Sequence, residues 1–279
     1  MSSPAVDRAK GIAGTGTGSG PARRAGRASG GSGGPWVALG SIALLLAVWS
    51  VAALTQADTR ILPGPWIVGP LIWRELIAGP MLFDIGWTLW RVALSFSLAM
   101  AIGAGIGIAM GRSPRLDRWL DPWLIFFLNL PALVLIVLAY LWIGLNETAA
   151  VLAVAANKVP TVIVTMREGA RALDPKLADM ARVFRMSRLA RLRHVEAPQL
   201  APYFAAAGRS GIALIWKIVL VVEFLGRSNG VGFKIHMYFQ LFDVAMVLAY
   251  ALSFVGVMLI IEAALFRPWE RRATRWRRR

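Results

Sequence analysis

The sequence contains no cysteine and only two histidines among its 279 residues. The absence of cysteine excludes a disulfide framework, a cysteine-ligated zinc site and a redox thiol. With two histidines, a dedicated metal site is not expected either. Charged residues are also scarce, at 16%, so long stretches of the chain carry no charge at all. Small domains that are stabilised by disulfides or zinc are therefore excluded as a class.

Hydrophobic residues make up 57% of the chain, whereas soluble domains have about 45–50%. They fall into blocks that approach or exceed the roughly 20 residues of a membrane-spanning helix. This pattern predicts an all-α integral membrane protein with six transmembrane helices. The predicted spans are 36–54, 86–110, 121–143, 147–167, 204–225 and 242–265.

Two polar tails flank the predicted transmembrane domain of residues 36–265. Residues 1–35 consist mostly of Gly, Ala, Ser and Arg. Such a segment cannot bury enough apolar surface to offset the entropy of ordering, so we predict a disordered tail. Residues 266–279 are predicted to form a second, basic tail. The apolar run 36–54 is longer than the ~7–15 residues of a signal-peptide core, and we interpret it as a retained first span.

The formal net charge is +16, and the positions of the 31 Lys and Arg residues explain it. Given six spans, 23 of them lie on one side, in the two tails and in the connections after the second and fourth spans. Only four lie on the opposite side, and four lie within spans. This asymmetry is the positive-inside pattern, which predicts that both termini are cytoplasmic. The excess of basic over acidic residues therefore reflects the topology of the chain in a lipid bilayer, and a nucleic-acid partner is not predicted.

The longest predicted cytoplasmic connection, about residues 168–203, contains signals for two short helices. An N-cap followed by proline begins the first, and a serine cap begins the second, in which three apolar side chains share one face. Two prolines are expected to end the second helix before the fifth span. These residues are, in order, Asp174, Pro175, Ser187, Leu189, Leu192, Val195, Pro198 and Pro202. The hairpin either lies on anionic lipid or docks a soluble partner.

The same connection resembles the EAA loop of bacterial ABC importer permeases. The matching residues are Asp179-Met180-Ala181-x3-Arg185-x9-Val195-x2-Pro198. Over about residues 60–276 the chain is similar to the nitrate/sulfonate/taurine-type branch of these permeases. Further matching pieces are Leu62-Pro63-Gly64-Pro65, Thr88-x2-Arg91-Val92, Leu120-Asp121-Pro122, Leu130-Pro131, Trp142-Ile143-Gly144, Gly208-Arg209, Trp216, Glu223 and Gly230-x-Gly232.

The resemblance implies a bacterial inner-membrane transport assembly. Two permease subunits, as a homodimer or with a similar permease, form the path, while a cytoplasmic ATP-binding subunit hydrolyses ATP. An extracytoplasmic substrate-binding protein delivers the solute, which is expected to be a small anion such as nitrate, a sulfonate or taurine. The sequence has no G-x-x-x-x-G-K-[ST] phosphate loop, so no ATP or other cofactor is expected to bind this chain.

The resemblance also implies roles within the loop. Asp179, in place of the usual Glu, is expected to anchor it, and Leu189 and Leu192 to fill a groove of the ATP-binding subunit. Arg185 stands where these loops carry Gly, so it either alters the turn or contacts the ATP-binding subunit directly. The residues expected to contribute to coupling are Asp179, Met180, Ala181, Arg185, Ser187, Leu189, Leu192 and Pro198.

Ionisable residues within spans are functional candidates, because each costs several kcal/mol in lipid. Lys217 and Lys158 either attract an anion along a shared path, or pair with a buried oxygen or reach an interface. Glu223 either belongs to the path or forms a salt bridge. Asn129, close to Pro131, is expected at a kink that faces protein or water.

Glycines at 103, 105, 107 and 111 in the second predicted span include two small-x-x-x-small pairs. Pairs of this kind let helix backbones approach closely in a membrane. We therefore predict that this span packs tightly against a neighbouring helix.

Three alternatives are open at this stage. The chain could be a permease for another solute, such as a vitamin precursor, because related permeases share these motifs. It could be an ATP-independent secondary transporter, although no clear repeat relates its halves. A membrane enzyme would need a paired carboxylate, a histidine cluster or an activated nucleophile within the spans, and no catalytic residue is predicted.

Overall fold

The computed structural model describes residues 35–56 and 58–266, and over these residues its regular structure is helical. The predicted tails lie outside the described residues, apart from Pro35 and Phe266. The helices are α1 (Pro35–Thr55), α2 (Pro65–Ile77), α3 (Met81–Arg112), α4 (Pro114–Asn129), α5 (Ala132–Ile143), α6 (Glu147–Arg171), α7 (Pro175–Val183), α8 (Arg188–Arg191), α9 (Ala197–Gly226), α10 (Val231–Gln240) and α11 (Val244–Ile261). Short π-helical turns follow α8 and α11.

Four helical stretches among the described residues are long and apolar enough to cross a membrane. They are Met81–Arg112, Glu147–Arg171, Arg188–Gly226 and Val244–Ala264. Each contains most or all of one predicted span, so the prediction of a multi-span α-helical protein is confirmed. The first apolar block forms α1, in which Leu39–Thr55 is a shorter apolar helix.

The third predicted span, 121–143, is not one continuous helix. Helices α4 and α5 are separated at Leu130 and Pro131 and are bent by 97° relative to each other. Leu130 has φ −72° and ψ 124°, an extended conformation that a residue before proline favours because the proline ring disfavours the helical one. The break lies where a kink was predicted, beside Asn129 and Pro131, and this segment is either a broken span or a re-entrant loop.

The helix that begins at Arg188 does not end at the two prolines that were expected to close it. It passes through a π-helical turn at Leu192–Glu196 and continues as α9 to Gly226. Pro198 directly follows this π-helical turn and lies within the continuous helix. Pro202 lies inside the helix and is tolerated there. The second part of the loop is therefore continuous with the following membrane helix.

Helices α3, α6 and α9 form the centre of the bundle, with buried side chains from all three in contact. Close approach of α3 and α6 depends on glycine. A Cβ atom added at Gly103 would lie 2.6 Å from Val162 Cβ, and one at Gly107 would lie 2.6 Å from the Ile163 carbonyl oxygen. The predicted tight packing is confirmed at these positions, whereas Gly105 has nothing within 4 Å of such an atom.

A second hydrophobic cluster joins α2, the start of α3, α10 and α11. Its fully buried members include Met81, Tyr250 and Phe254. The two clusters share α3 and α9 through partly buried side chains, among them Ile212 and Trp216. The bundle consequently has two ends, one at the C-termini of α3 and α6 and one at the N-terminus of α6 and the C-terminus of α9.

Candidate functional site

The connection between α6 and α9 forms a short helical hairpin whose caps are those predicted. The Asp174 side chain accepts a hydrogen bond from the Lys176 backbone N–H at 2.8 Å and begins α7. The Ser187 hydroxyl accepts one from the Ala190 N–H at 3.2 Å and begins α8. Each bond satisfies one of the N–H groups that a helix start leaves without an intrahelical acceptor.

The turn from α7 to α8 is a Schellman motif centred on Arg185, which has a left-handed φ of 50°. The Arg185 N–H donates to the Arg182 carbonyl at 2.9 Å, and the Met186 N–H donates to the Ala181 carbonyl at 3.0 Å. Both bonds are those of this motif, which usually carries glycine. The arginine therefore adopts the backbone conformation that a glycine would favour, at a cost of about 1 kcal/mol or more.

The hairpin exposes an apolar surface, which we name the coupling surface. Val183, Phe184 and Leu189 are each more than 70% exposed. Its members are Leu177, Met180, Val183, Phe184, Leu189 and Leu192. Clustered exposed apolar side chains are typical of an interaction site. Of the predicted coupling residues, Leu189, Leu192 and Met180 lie on this surface, whereas Ala181 is buried beneath it.

Buried Glu196 joins the hairpin to the membrane helices. Its carboxylate accepts hydrogen bonds from the guanidinium groups of Arg112, at the end of α3, and Arg191, at the end of α8. Asp179, expected to anchor the loop, instead forms an exposed ion pair with Arg182 of its own helix at 3.1 Å. Within the described residues, Glu196 therefore provides the connection to α3.

Lys217 lies on the outer face of α9 and is exposed in the isolated subunit, with its Nζ atom 5.6 Å from the centre of the Trp216 ring. It precedes Gly226, the last residue of α9, by nine residues, which is about 14 Å at 1.5 Å per residue. This depth is close to the middle of a hydrocarbon core of about 30 Å. A cation there is costly in lipid, so this face of α9 is expected to contact protein or water.

Lys158 lies at a similar depth on α6 but is enclosed, with an exposed fraction of only 2%. Its Nζ atom has no hydrogen-bond partner among the described residues. A Cβ atom added at Gly211 of α9 would lie 3.2 Å from Lys158 Cε, so the glycine leaves the space that the lysine side chain occupies. Lys158 therefore faces the interior of the bundle, and neither predicted type of partner oxygen is present.

Glu223 is completely buried near the C-terminus of α9 and is fully paired. Its carboxylate accepts hydrogen bonds from Arg91 Nη1 at 2.6 Å, from the Thr88 hydroxyl at 2.9 Å and from the Gly232 N–H at 2.8 Å. The side chain forms the salt bridge that the sequence left open as an alternative. It is not accessible to a solute in this conformation.

Arg91 is the centre of this network and uses all five of its N–H donors. Its Nε and Nη2 atoms donate to the Glu147 carboxylate at 2.8 and 2.7 Å, and its Nη1 atom donates to Glu223 and to the Asn229 carbonyl. The last donor, on Nη2, reaches the Asn229 side-chain oxygen. Arg227 also donates to Glu147. The two arginines and two glutamates balance in charge, as a buried ionic group requires.

Sequence reasoning identified Glu223 but missed the other members of this network. Arg91 was noted only as part of the Thr88-x2-Arg91-Val92 match. Glu147 and Arg227 lie in or next to short connections, far from Arg91 along the chain. An arginine within a span commonly pairs with a buried carboxylate or a backbone carbonyl, and that signal could have linked Arg91 to Glu223.

Asn129 lies at the last turn of α4, where its side chain donates to the Ile125 carbonyl at 2.8 Å. It is exposed in the isolated subunit, beside the break between α4 and α5. Lys217 and Asn129 are thus exposed, while Lys158 and Glu223 are enclosed. The four residues do not form one cavity.

Comparison with known proteins identifies the family. Residues 101–267 match the model of the binding-protein-dependent transport system inner membrane component. Because this match covers more than half of the chain, the chain belongs to that family. It is accordingly a transport-system component of the inner membrane rather than an enzyme. Its several apolar helices agree with a location in a membrane.

Two curated relatives and one solved structure refine the comparison. The SsuC permease of Bacillus subtilis, whose name assigns it to aliphatic sulfonates, is 30% identical to this chain. The alignment covers 84% of this chain and 85% of SsuC. The bicarbonate transport system permease protein CmpB of Synechococcus elongatus is also 30% identical to this chain. The alignment covers 83% of this chain and 87% of CmpB. An inward-facing MetNI methionine ABC transporter structure has TM-score 0.61 at 16% identity, over 72% of this chain and 99% of that one. The likeness to MetNI concerns the fold alone, while the relatives confirm the resemblance to nitrate/sulfonate/taurine-type permeases.

Proposed function

We propose that this chain is the transmembrane subunit of an ATP-driven importer for a small anion. It forms the translocation path with a second permease subunit, which we expect to be another copy of the chain. A cytoplasmic ATP-binding subunit supplies the energy, and an extracytoplasmic binding protein delivers the solute. The observation that carries the proposal is the coupling surface, an exposed apolar hairpin tied to α3 through Glu196.

The hairpin is suited to transmit movement because it is continuous with a membrane helix. From Arg188 to Gly226 the backbone is one helical stretch of 39 residues, so displacement of α8 carries α9 with it as a rigid element. Leu189 and Leu192 supply the apolar contact with the ATP-binding subunit. Asp179 is exposed and its ion pair with Arg182 lies within its own helix, so we expect its carboxylate to bind that partner as well.

For the path, we assign the outward face of α9 that carries Lys217. This lysine is exposed at mid-membrane depth, where a water-filled path between subunits removes the cost of burying its charge. Asn129, beside the α4–α5 break, is a second candidate for this path, and Lys158 becomes accessible only if α9 moves. Glu223 supports the path indirectly by holding the ends of α3 and α9 together.

We also propose six spans with both termini in the cytoplasm. The proposal adds two crossings to the four long helices: the α4–α5 pair, taken as one broken span, and α1, whose apolar part is shorter than those helices. The ion pairs of Arg112 with Glu196 and of Arg167 with Asp117, at 3.2 Å, bring the basic connections to one end of the bundle. This common end agrees with the positive-inside pattern.

The anionic nature of the solute rests on Lys217 and on the relatives. The relatives at 30% identity carry names that refer to sulfonates and to bicarbonate, which are both anions. The particular anion follows from neither observation, so sulfonate, taurine, nitrate and bicarbonate are all candidates.

Uptake into proteoliposomes that contain the assembled transporter tests the proposal. We expect at least one of the four candidate solutes to accumulate. This accumulation should require ATP on the side of the membrane where the ATP-binding subunit lies. Replacing Lys217 with Met should reduce the rate by roughly tenfold, equivalent to ~1.4 kcal/mol, whereas Lys217→Arg should keep most of it. Arg74→Met, which removes an exposed charge from α2, serves as the control. Accumulation driven by a proton or sodium gradient without ATP would indicate a secondary carrier, and uptake only of solutes that lack an anionic group would contradict the assignment.

A further inference from the structure

Lys158 interrupts the apolar face of α6 that packs against α3 and α9. Val154 belongs to the cluster toward the N-terminus of α6, and Val162 belongs to the cluster toward its C-terminus. Lys158 lies four residues from each of them, so all three side chains share one face of the helix. The buried core of α3, α6 and α9 therefore consists of two apolar layers with a lysine at the level between them.

Glycine and phenylalanine complete the layer that contains Lys158. On α9, Ala207 and Ile215 belong to the two apolar clusters, and Gly211 lies midway between them. A Cβ atom added at Gly211 would lie 3.2 Å from Lys158 Cε and 3.3 Å from Phe96 Cε2 of α3. The absence of a side chain at Gly211 makes room for the lysine, and it also means that α9 contributes little apolar contact to this layer.

Lys158 and Arg91 are both buried cations, with exposed fractions of 2% and 1%, but they differ in their partners. Every N–H donor of Arg91 has an acceptor. Lys158 Nζ has no hydrogen-bond partner among the residues that the structure describes. A charge that is buried without a partner destabilises the packing around it. The close packing of α9 on α6 is therefore an arrangement that Lys158 opposes.

Lys158 and Lys217 lie on different sides of α9. Gly211 and Lys217 are six residues apart on this helix, or about 120° apart around its axis at 3.6 residues per turn. Gly211 faces Lys158 in the interior, whereas Lys217 is exposed on the outward face. Because α9 continues from the hairpin of α7 and α8, movement of that hairpin shifts the helix that separates the two lysines.

We propose that Lys158 is the cationic group of a second anion site, which is occluded in this conformation and opens when α9 moves away from α6. An anion that reaches Lys217 on the outward face of α9 then contacts the Lys158 ammonium group, which gains the partner that it lacks here. The ligand is a small anion with an oxygen acceptor for Nζ, such as a sulfonate. This inference rests on the proposed function and adds to it an occluded stage of transport.

Lys158→Met separates a ligand contact from a residue that only supports the fold. Methionine keeps most of the side-chain length and removes the charge, so the unfolding temperature of the assembled transporter without ATP should rise by about 2 °C or more. The same change at the paired cation, Arg91→Met, should lower it. Lys158→Met should also lower the ATP-dependent uptake rate of the candidate anion that wild type accumulates by roughly tenfold, the effect of losing one hydrogen bond to a charged group.

Cysteine labelling tests whether the site opens, because the chain has no cysteine of its own. Proteoliposomes with the assembled transporter and its binding protein are treated with sulfonatoethyl methanethiosulfonate, a small anionic reagent that does not cross membranes. Lys158→Cys should be modified during ATP turnover and protected without ATP, whereas Lys217→Cys should be modified in both states. Val68→Cys, at a buried position of α2 outside this layer, should stay protected in both states and so controls for unfolding.

The proposal is overturned if Lys158→Met destabilises the transporter or leaves anion uptake unchanged. It is also overturned if Lys158→Cys stays protected during ATP turnover or is modified without ATP. Uptake by wild type in the same preparations keeps the two proposals apart. A wild type that accumulates no candidate anion contradicts the proposed function and this site with it, whereas normal anion uptake by both wild type and Lys158→Met overturns this site alone.

Discussion

Arg91 has five guanidinium donors, and each has an acceptor within the protein. Replacing it with Leu would leave Glu223 buried without its cationic partner, which is far more costly than the loss of the pair itself. We predict that Arg91→Leu lowers the free energy of unfolding by about 3–5 kcal/mol, measured by thermal or denaturant unfolding in detergent. Arg74→Leu, at an exposed position, should have little effect, and equal effects of the two variants would contradict a structural role for the network.

Arg185 provides a second test at the scale of one residue. Glycine at this position removes the strain of a left-handed backbone, so Arg185→Gly should stabilise the hairpin by about 1 kcal/mol, whereas Arg185→Ala should not. Hydrogen exchange of the α7 and α8 amides is the suitable measurement, because global unfolding need not report on a surface hairpin. If the arginine also contacts the ATP-binding subunit, Arg185→Gly will weaken that association despite the local gain. No gain in protection for the glycine variant would mean that the turn is not strained.

Contacts between residues that are close in the sequence were predicted, whereas contacts between residues far apart in the sequence were missed. The Asp174 and Ser187 caps were predictable because each acts on an N–H two or three residues away. The ion pair of Arg91 with Glu223 joins residues that are 132 positions apart. Only the packing of α3 against α9 brings them together, and periodicity carries no information on it. The absence of a partner for Lys158 Nζ among the described residues likewise depends on the surrounding helices.

At the scale of helices, the tight packing of α3 on α6 can be tested with two glycines two residues apart. A Cβ atom at Gly107 would lie 2.6 Å from the Ile163 carbonyl oxygen, whereas one at Gly105 would meet nothing within 4 Å. Gly107→Ala should therefore destabilise the bundle by about 1–3 kcal/mol through overpacking. Gly105→Ala should be neutral or slightly stabilising, since alanine favours helix. Thermal unfolding of both variants gives the comparison, and the reverse order would exclude the described contact.

The lengths of the apolar blocks predicted most membrane helices, because each length depends only on the composition of one segment of the sequence. They did not show the break in the third span, where the block 121–143 is apolar apart from Asp121 and Asn129 but is interrupted at Leu130 and Pro131. Proline in the sequence indicated a kink, yet not its size, since prolines at 160 and 202 lie inside continuous helices. Whether a proline bends, breaks or leaves a helix unchanged depends on what packs beside it.

At the scale of the whole molecule, the proposed orientation can be tested directly because the chain contains no cysteine. Ser187→Cys and Ser228→Cys each introduce a single thiol at an exposed position, at opposite ends of the long α8–α9 helix. In intact cells, a membrane-impermeant maleimide should label Ser228→Cys and not Ser187→Cys. Permeabilised cells should show labelling of both, which controls for reactivity. Labelling of Ser187→Cys alone in intact cells would reverse the orientation and remove the coupling surface from the cytoplasm.

The hairpin of α7 and α8 is, in our proposal, the docking site for an ATP-binding subunit. The most direct test is co-purification of that subunit with the tagged chain from mild detergent, comparing wild type with the double variant Leu189→Asp/Leu192→Asp. Leu241→Asp provides a matched control, because Leu241 is an exposed leucine in the turn between α10 and α11. We predict that the ATP-binding subunit is retained by wild type and by Leu241→Asp and is lost from the double variant. Retention by the double variant would contradict docking at this surface, and absence of the subunit from the folded wild-type chain would contradict an ATP-driven importer.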